Sequence, residues 1–358
     1  MLKHVLQIIE RYSSSDAPFM HGLIHEWGKT KPLQGLNILT NTPVVPNTLL
    51  QITALHSAGA KLTVCNPSFM LPHKASIAAL QSDGIPTFLN ANELSGKSFD
   101  IFLDCMGELY QKVGVPRIGA VELTGSGDVF YRAQKLTFPV VSIDKTLTKQ
   151  LETIFGMAES AISALKQLTQ VNDFSKKRWL VFGFGKIGRG IAYYCMKNNA
   201  SINVVEPNET IRKSAELLGI RAIDPDDYTA LQSHLTLTDV VITATGKANV
   251  LKQYPKKWFE NKILANLGVL DEFGDQFSEN EVLNNKIAIN FSLDDPTPIE
   301  YFDPEIYADS IAINQLLKEK LSNEVHDLPK AIDHTIIQKW CQHHKINYSE
   351  IEKWFIKF

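Results

Sequence analysis

The 358-residue chain is short of the features that mark several large protein classes. Its four cysteines, Cys65, Cys105, Cys195 and Cys341, show no CxxC spacing. That excludes a disulfide framework or zinc ribbon and leaves reduced, buried thiols as the expectation. No apolar run reaches the length of a membrane span, and Met1-Leu-Lys-His lacks the apolar core of a secretory leader. A cytoplasmic location with no membrane partner follows as an expectation. Lys and Arg gather into no block and the net charge is −3, so there is no general attraction for nucleic acid. His343 and His344 stand beside Cys341 without a second ligand group at a known spacing, so no metal is expected and both read as surface of the last helix. There is no internal repeat and no low-complexity tract. What remains is an ordinary globular composition, 44% hydrophobic and 21% charged, at a length that suits two domains better than one core.

The organisation comes from changes of hydrophobic period. Leu36-Asn-Ile-Leu-Thr40 reads as a strand, Leu49 to His56 as a helix, Lys61 to Cys65 as a strand, Ala75 to Gln81 as a helix, and Thr87 to Leu89 and Asp100 to Asp104 as strands. Strands that alternate with helices imply a parallel sheet covered on both faces. Leu151, Ile154, Phe155, Ala158, Ile162 and Leu165 then recur at helical spacing within 147–168, which predicts a long linking helix. Beyond it, the strands Trp179 to Phe182, Ile202 to Val205, Asp239 to Thr243, Ile263 to Asn266 and Ile287 to Asn290 predict a second doubly wound sheet. The tail from about Tyr307 is helical in composition, too short for a domain, and expected to pack back on the first. The fold class is therefore α/β, with two doubly wound, Rossmann-like parallel-sheet domains joined by a long helix. A substrate-type domain spans 1–165 and is completed by 306–358, and a nucleotide-binding domain spans 166–305.

The loop Gly183-Phe-Gly-Lys-Ile-Gly188 follows a strand and opens a helix at Ile191-Ala-Tyr-Tyr-Cys195. A lone GxGxxG means little, but in this setting its glycines allow a tight turn and close backbone approach. The helix N-terminus then offers free N–H groups to a pyrophosphate. Gly183, Phe184, Gly185, Lys186, Ile187 and Gly188 are thus assigned to the cofactor. Glu206 ends the next strand about 20 residues on, where an acid accepts the hydrogen bonds of a ribose diol and repels a 2′-phosphate. NAD is the expected cofactor. Arg212 reopens the choice of NADP by its nearness, but lies one turn into the following helix. Thr243-Ala244-Thr245-Gly246 and Asn266-Leu-Gly268 follow the third and fourth strands of this domain, at the carboxyl ends where ligands bind.

At this point the chain resembles a known family, adenosylhomocysteinase, over most of its length. The resemblance rests on Met20-His-Gly-Leu-Ile, Lys31 to Ile38, Gly59 to Pro67, Gly84-Ile-Pro, Phe102-Leu-Asp104, Val121-Glu-Leu-Thr124, Asp144 with Gly156, Gly183 to Gly190, Asn314-Gln315 and Val325 to Asp333, all in the family's order and spacing. It implies a two-domain protomer with a tightly held NAD, which oxidises the 3′-hydroxyl of an adenosine thioether so that homocysteine is eliminated and water added. It also implies catalytic roles for Asp104, Glu122 and Asp271, and cofactor contacts for Thr124 and Thr153. The family's proton-transfer histidines fall on Pro43, Val269 and Asp303, and none of the ten histidines lies in a matching motif. Its catalytic Lys falls on Thr148 and the paired Asp on Glu152. Lys149 lies one place later, three before Glu152, still a neighbouring position on a helix, so a shifted Lys149–Glu152 pair is the candidate base or proton donor. The Asn that follows becomes Thr153 and the Cys becomes Met157, while Lys353 to Phe358 has no counterpart of the family's basic tail.

Each of these residues also has a plainer role. Asp104 ends a strand and Glu122 follows a short strand, so both suit helix capping or a solvated loop charge; Lys149 and Glu152 suit a solvent-exposed pair, and Asp303 suits the acidic hinge around Asp294-Asp-Pro-Thr-Pro. The favoured reading is an NAD-dependent enzyme that oxidises a hydroxyl of a small polar or nucleoside-like metabolite. Its rivals are a non-catalytic NAD-binding protein, an active adenosylhomocysteinase with substituted acids and bases, and a 2-hydroxyacid dehydrogenase. The last needs an Arg-acid-His set, for which the turn after Asn266 offers no candidate histidine. A homodimer through the nucleotide domain is compatible with all of them.

Overall fold

The computed structural model describes residues 2–318 and 320–357 and divides into two compact units. One runs to Gln150 and resumes at Ile299–Glu350; the other comprises Leu151–Pro298 and Ile351–Lys357. The expected switch points at 165/166 and 305/306 fall inside the helices Met157–Thr169 and Ile299–Lys318.

The first unit holds strands β1 (Asn37–Thr40), β2 (Lys61–Cys65), β3 (Thr87–Phe88), β4 (Ile101–Asp104), β5 (Gly119–Glu122) and β6 (Val140–Ser142). The second holds β7 (Arg178–Phe182), β8 (Ser201–Val205), β9 (Arg221–Ile223), β10 (Val240–Thr243) and β11 (Ile263–Asn266), and β12 (Val325–Asp327) returns to the first. The sheet orders are β12-β6-β5-β4-β1-β2-β3 and β11-β10-β7-β8-β9, with every pairing parallel. Parallel strands need both faces covered, and their near-continuous apolar runs follow from that. One face of the first sheet packs Ile38, Leu103, Val121 and Val141 against Ile306 and Ile313, while the other packs Leu39, Phe102 and Ala120 against Tyr131 and Phe138.

Two expectations need correction. Ile287 to Asn290 forms no strand: Asn284, Asn285 and Lys286 take successive positive φ values of 53°, 53° and 67°, which curl the chain, and a 3₁₀ turn follows at Ile289–Ser292. The fifth strand of that sheet is the three-residue β9 instead. The tail is not wholly helical either, because Val325–Asp327 pairs with β6 at the sheet edge. The linking helix forms, with a π-turn at Glu152–Gly156. Gly190 sits against that turn so closely that a Cβ there would lie 1.9 Å from the Ile154 carbonyl oxygen. In the closing tail Trp354 and Phe355 pack their rings on Tyr193 and Phe155; Phe358 lies outside the described residues. All four cysteines are buried, and no helix among the described residues is long and apolar enough to cross a membrane.

Candidate functional site

The cofactor loop of the second unit is built as its glycines require. Gly183 has φ +97°, and a Cβ there would meet the Ala244 carbonyl oxygen at 2.5 Å. A Cβ on Gly188 would lie 2.1 Å from the Gly183 carbonyl oxygen, so the helix Lys186–Lys197 starts pressed onto the turn. At Gly185 the same construction meets nothing within 4 Å, which leaves space in front of the backbone. No side chain caps this helix and no acid stands in its first turn, so its N-terminal end keeps its affinity for an anion.

Glu206 follows β8 and is almost wholly buried. One oxygen accepts the Phe184 amide at 3.0 Å and the other the Asn208 amide at 3.0 Å, so the acid is locked to the glycine turn with a lone pair on each oxygen to spare. Arg212 lies in the first turn of the helix Glu209–Leu217, where its guanidinium donates to the Glu206 and Pro207 carbonyls at 2.8 and 2.7 Å and pairs with Asp224 at 2.7 Å. Those ties hold it away from the role of a 2′-phosphate receptor. The cradle fits a dinucleotide: tight turn, open approach, uncapped helix and fixed acid.

The other turns of this edge look inward. Thr243 donates to Asn266 Oδ1 at 3.1 Å, and the Asn266 amide nitrogen donates to the carbonyls of Gly268, Leu270 and Lys286. The Ala244 amide continues the sheet by donating to Phe182. Thr245 and Gly246 give their amides to Glu272, a residue the sequence reading passed over for its neighbour Asp271. Asp271 itself accepts the Phe273 and Gly274 amides and pairs with Lys286 at 3.1 Å. The only hint was a second acid directly after the first. In the π-turn, Glu152 accepts the hydroxyls of Thr153 and Thr297 at 2.8 and 2.9 Å.

In the first unit, β4 and β5 end side by side in Asp104 and Glu122, both buried. Asp104 accepts the amides of Cys105 and Leu109 at 2.8 and 2.9 Å and the Tyr131 hydroxyl at 2.6 Å. Glu122 accepts the amides of Met106, Gly107 and Thr124 and the Thr124 hydroxyl. Thr124 also caps the helix Gly125–Arg132. Burial pushes Asp104 up to about 6, and burial together with the Asp104 charge pushes Glu122 up as well. Asp303 sits on the helix Ile299–Lys318 and accepts the Phe19 and Met20 amides at 2.9 and 2.8 Å. It thereby completes the N-terminus of the helix Pro18–Thr30, which has no capping side chain of its own.

Lys149 makes a 2.6 Å ion pair with Glu305, which is 0% exposed. One helical turn on, Asp309 accepts the Gln51 amide at 2.6 Å, and Gln51 in turn accepts the Thr42 hydroxyl. Neither Glu305 nor Asp309 figured in the sequence reading, because helix-interior acids look like solvated charges until burial is known. Burial pushes both Asp309 and Asp303 up to about 7 from the ordinary 3.8. An acid raised in the fold contributes stability below its ordinary value and loses it as pH climbs through the raised one. The melting temperature should therefore fall as pH rises from about 4 to about 7 and level off above that, and Asp309→Asn should flatten that fall. Asp239, held down to about 2 by the Arg178 guanidinium, works oppositely but only at lower pH. Melts of Asp309→Asn that track the parent across the range would contradict this.

With this geometry in view, comparison with known proteins adds a consistent picture. Residues 179–252 match the family model described as the saccharopine dehydrogenase NADP binding domain. An adenosylhomocysteinase of Sulfurisphaera tokodaii is 25% identical, with 89% of this chain and 87% of that protein covered. An S-inosyl-L-homocysteine hydrolase of Methanopyrus kandleri is 24% identical, over 90% of this chain and 86% of that protein. Among solved structures, a dipicolinate synthase chain of Bacillus halodurans superposes with a TM-score of 0.51 at 13% identity, covering 80% of this chain and 99% of that one, which speaks to the fold alone. The chain is adenosylhomocysteinase-like over most of its length and carries a Rossmann unit of the nicotinamide-dinucleotide-binding type.

Proposed function

We propose that the protein is an NAD(H)-dependent enzyme that oxidises a hydroxyl of a small polar or nucleoside-like metabolite. The observation that carries the reading is Glu206, locked by the Phe184 amide at 3.0 Å at the position that meets the adenosine ribose. The matched model's name carries NADP, yet a fixed carboxylate repels a 2′-phosphate and Arg212 is engaged with Asp224 and two carbonyls. The glycine turn at 183–188 and Glu206 would hold NAD, which would supply the hydride acceptor for oxidation of a carbinol carbon. The chain's own part is to orient the hydroxyl and move its proton, and Lys149, fixed by Glu305, is the side chain best suited to that. Nucleoside-like chemistry comes from the names of the relatives, adenosyl- and inosyl-homocysteine hydrolases.

Mass spectrometry of the denatured, purified protein is expected to release NAD rather than NADP. Release of neither, with no binding of added NAD, would sink the reading. With Pro43, Val269 and Asp303 where the resemblance places histidines, no thiol release from adenosylhomocysteine above background is expected.

A second reading, a non-catalytic NAD-binding protein, draws support from Asp104, Glu122 and Asp303, whose oxygens are taken up by backbone amides. The two part on one measurement. An enzyme's bound NAD gains the near-ultraviolet absorbance of its reduced form when nucleosides or a metabolite extract are added, and a passive binder's does not.

A further inference from the structure

The strand order fixes which end of the second unit faces which half of a dinucleotide. The glycine turn follows the central β7, and Glu206 follows β8 on one side of it. An extended dinucleotide with its adenosine ribose at Glu206 and its pyrophosphate at the turn therefore carries its nicotinamide to the other side, over the ends of β10 and β11. The loops there are 243–246 and 266–272, and Glu272 joins them.

Glu272 is 0% exposed. Its carboxylate takes the Thr245 amide at 2.9 Å to each oxygen, the Thr245 hydroxyl at 2.8 Å and the Gly246 amide at 2.7 Å. A Cβ on Gly268 would lie 2.1 Å from Glu272 Oε1, so the turn after β11 also closes onto the carboxylate. Each of these donors is neutral, whereas the adjacent Asp271 has Lys286 as counter-ion. Burial raises the Glu272 carboxyl, while the Thr245 and Gly246 donors pull it back toward the anion. The result is a buried negative charge without a bonded cation among the described residues, at the nicotinamide end of the unit.

We propose that Glu272 is a cofactor-selecting residue: its charge favours the cationic ring of oxidised NAD over the neutral ring of the reduced form. The inference rests on the NAD reading above. It sets the resting state as the oxidised cofactor, ready to take a hydride from substrate.

The test is calorimetric titration of the full-length protein, cleared of any copurified nucleotide, with NAD⁺ and with NADH. The parent is expected to bind NAD⁺ about tenfold more tightly, the equivalent of about 1.4 kcal/mol. Glu272→Gln, which keeps the volume and an acceptor, is expected to bring the two affinities together by weakening NAD⁺ alone. An unchanged ratio in Glu272→Gln overturns the proposal. Should that variant not fold, the parent decides, because NADH affinity equal to or above that of NAD⁺ overturns it equally. If the parent binds neither form, the NAD reading itself fails.

Discussion

Purified Gly188→Ala protein is expected to carry no nicotinamide dinucleotide and to bind it at least about a hundredfold more weakly, a loss of about 2.7 kcal/mol. The alanine Cβ would stand 2.1 Å from the carbonyl oxygen of Gly183 and 2.9 Å from its carbonyl carbon, and backbone cannot rotate out of the way as a side chain can. The helix Lys186–Lys197 must lift off the end of β7, which carries its N-terminal amides away from the pyrophosphate. The melting temperature should fall with it. Gly185→Ala makes the informative contrast. Its Cβ meets nothing within 4 Å, so the fold should be unchanged, yet the methyl enters the space a phosphate needs and binding should still fall. Calorimetric titration and thermal melts of the two variants separate the effects. Retention of NAD by Gly188→Ala would show that the loop is a structural turn and no more.

The second large effect concerns Lys149. Lys149→Met removes the cation from Glu305, which is 0% exposed, and breaking a buried pair in this way costs about 3–5 kcal/mol. Replacing both partners by apolar residues of similar volume, Lys149→Met with Glu305→Leu, should recover much of that loss, since burying two charges was itself costly. Urea unfolding of the single and double variants measures the coupling between the two sites. On the role proposed for Lys149 in proton transfer, reduction of bound NAD by substrate should fall at least about a hundredfold in both, because the double variant restores the fold without restoring the amine. A single-variant loss under about 1 kcal/mol would put Lys149 among ordinary surface pairs. Full recovery of turnover in the double variant would exclude it from the chemistry.

The parts of this molecule that were legible in the sequence are those governed by neighbours in the chain. The glycine loop, the strand before it, the helix after it and Glu206 obey a local rule, since turn, strand end and helix start lie within a few residues. Strands β1, β2, β4, β7, β8, β10 and β11 stood out as apolar runs bounded by turns. What stayed hidden depends on where hydrogen bonds end. Arg221–Ile223 is three residues long and is a strand only because β8 offers it main-chain partners. Val325–Asp327 is a strand because β6 has a free edge. Ile287 to Asn290 has strand-like composition, and three left-handed residues just before it divert the chain. The acids illustrate the same limit. Asp104, Glu122, Asp303, Glu305 and Asp309 look alike as letters. Only the folded partners separate turn anchors from a helix cap and an ion-paired acid.

The Asp303 cap on the helix Pro18–Thr30 joins residues 284 positions apart, and with β12 it fixes an order of assembly during synthesis. The five-stranded sheet of the second unit and its core cluster from Leu180 to Val282 are continuous in the chain and formed once that stretch has left the ribosome, with Trp354 and Phe355 joining the unit later. The first unit is not. Its sheet lacks an edge strand, one face lacks the helix Ile299–Lys318, and an early helix lacks its cap until residues past 299 arrive. The sheet that is translated first is thus finished last, and in the interval its apolar face and open edge are the surfaces a chaperone would have to shield.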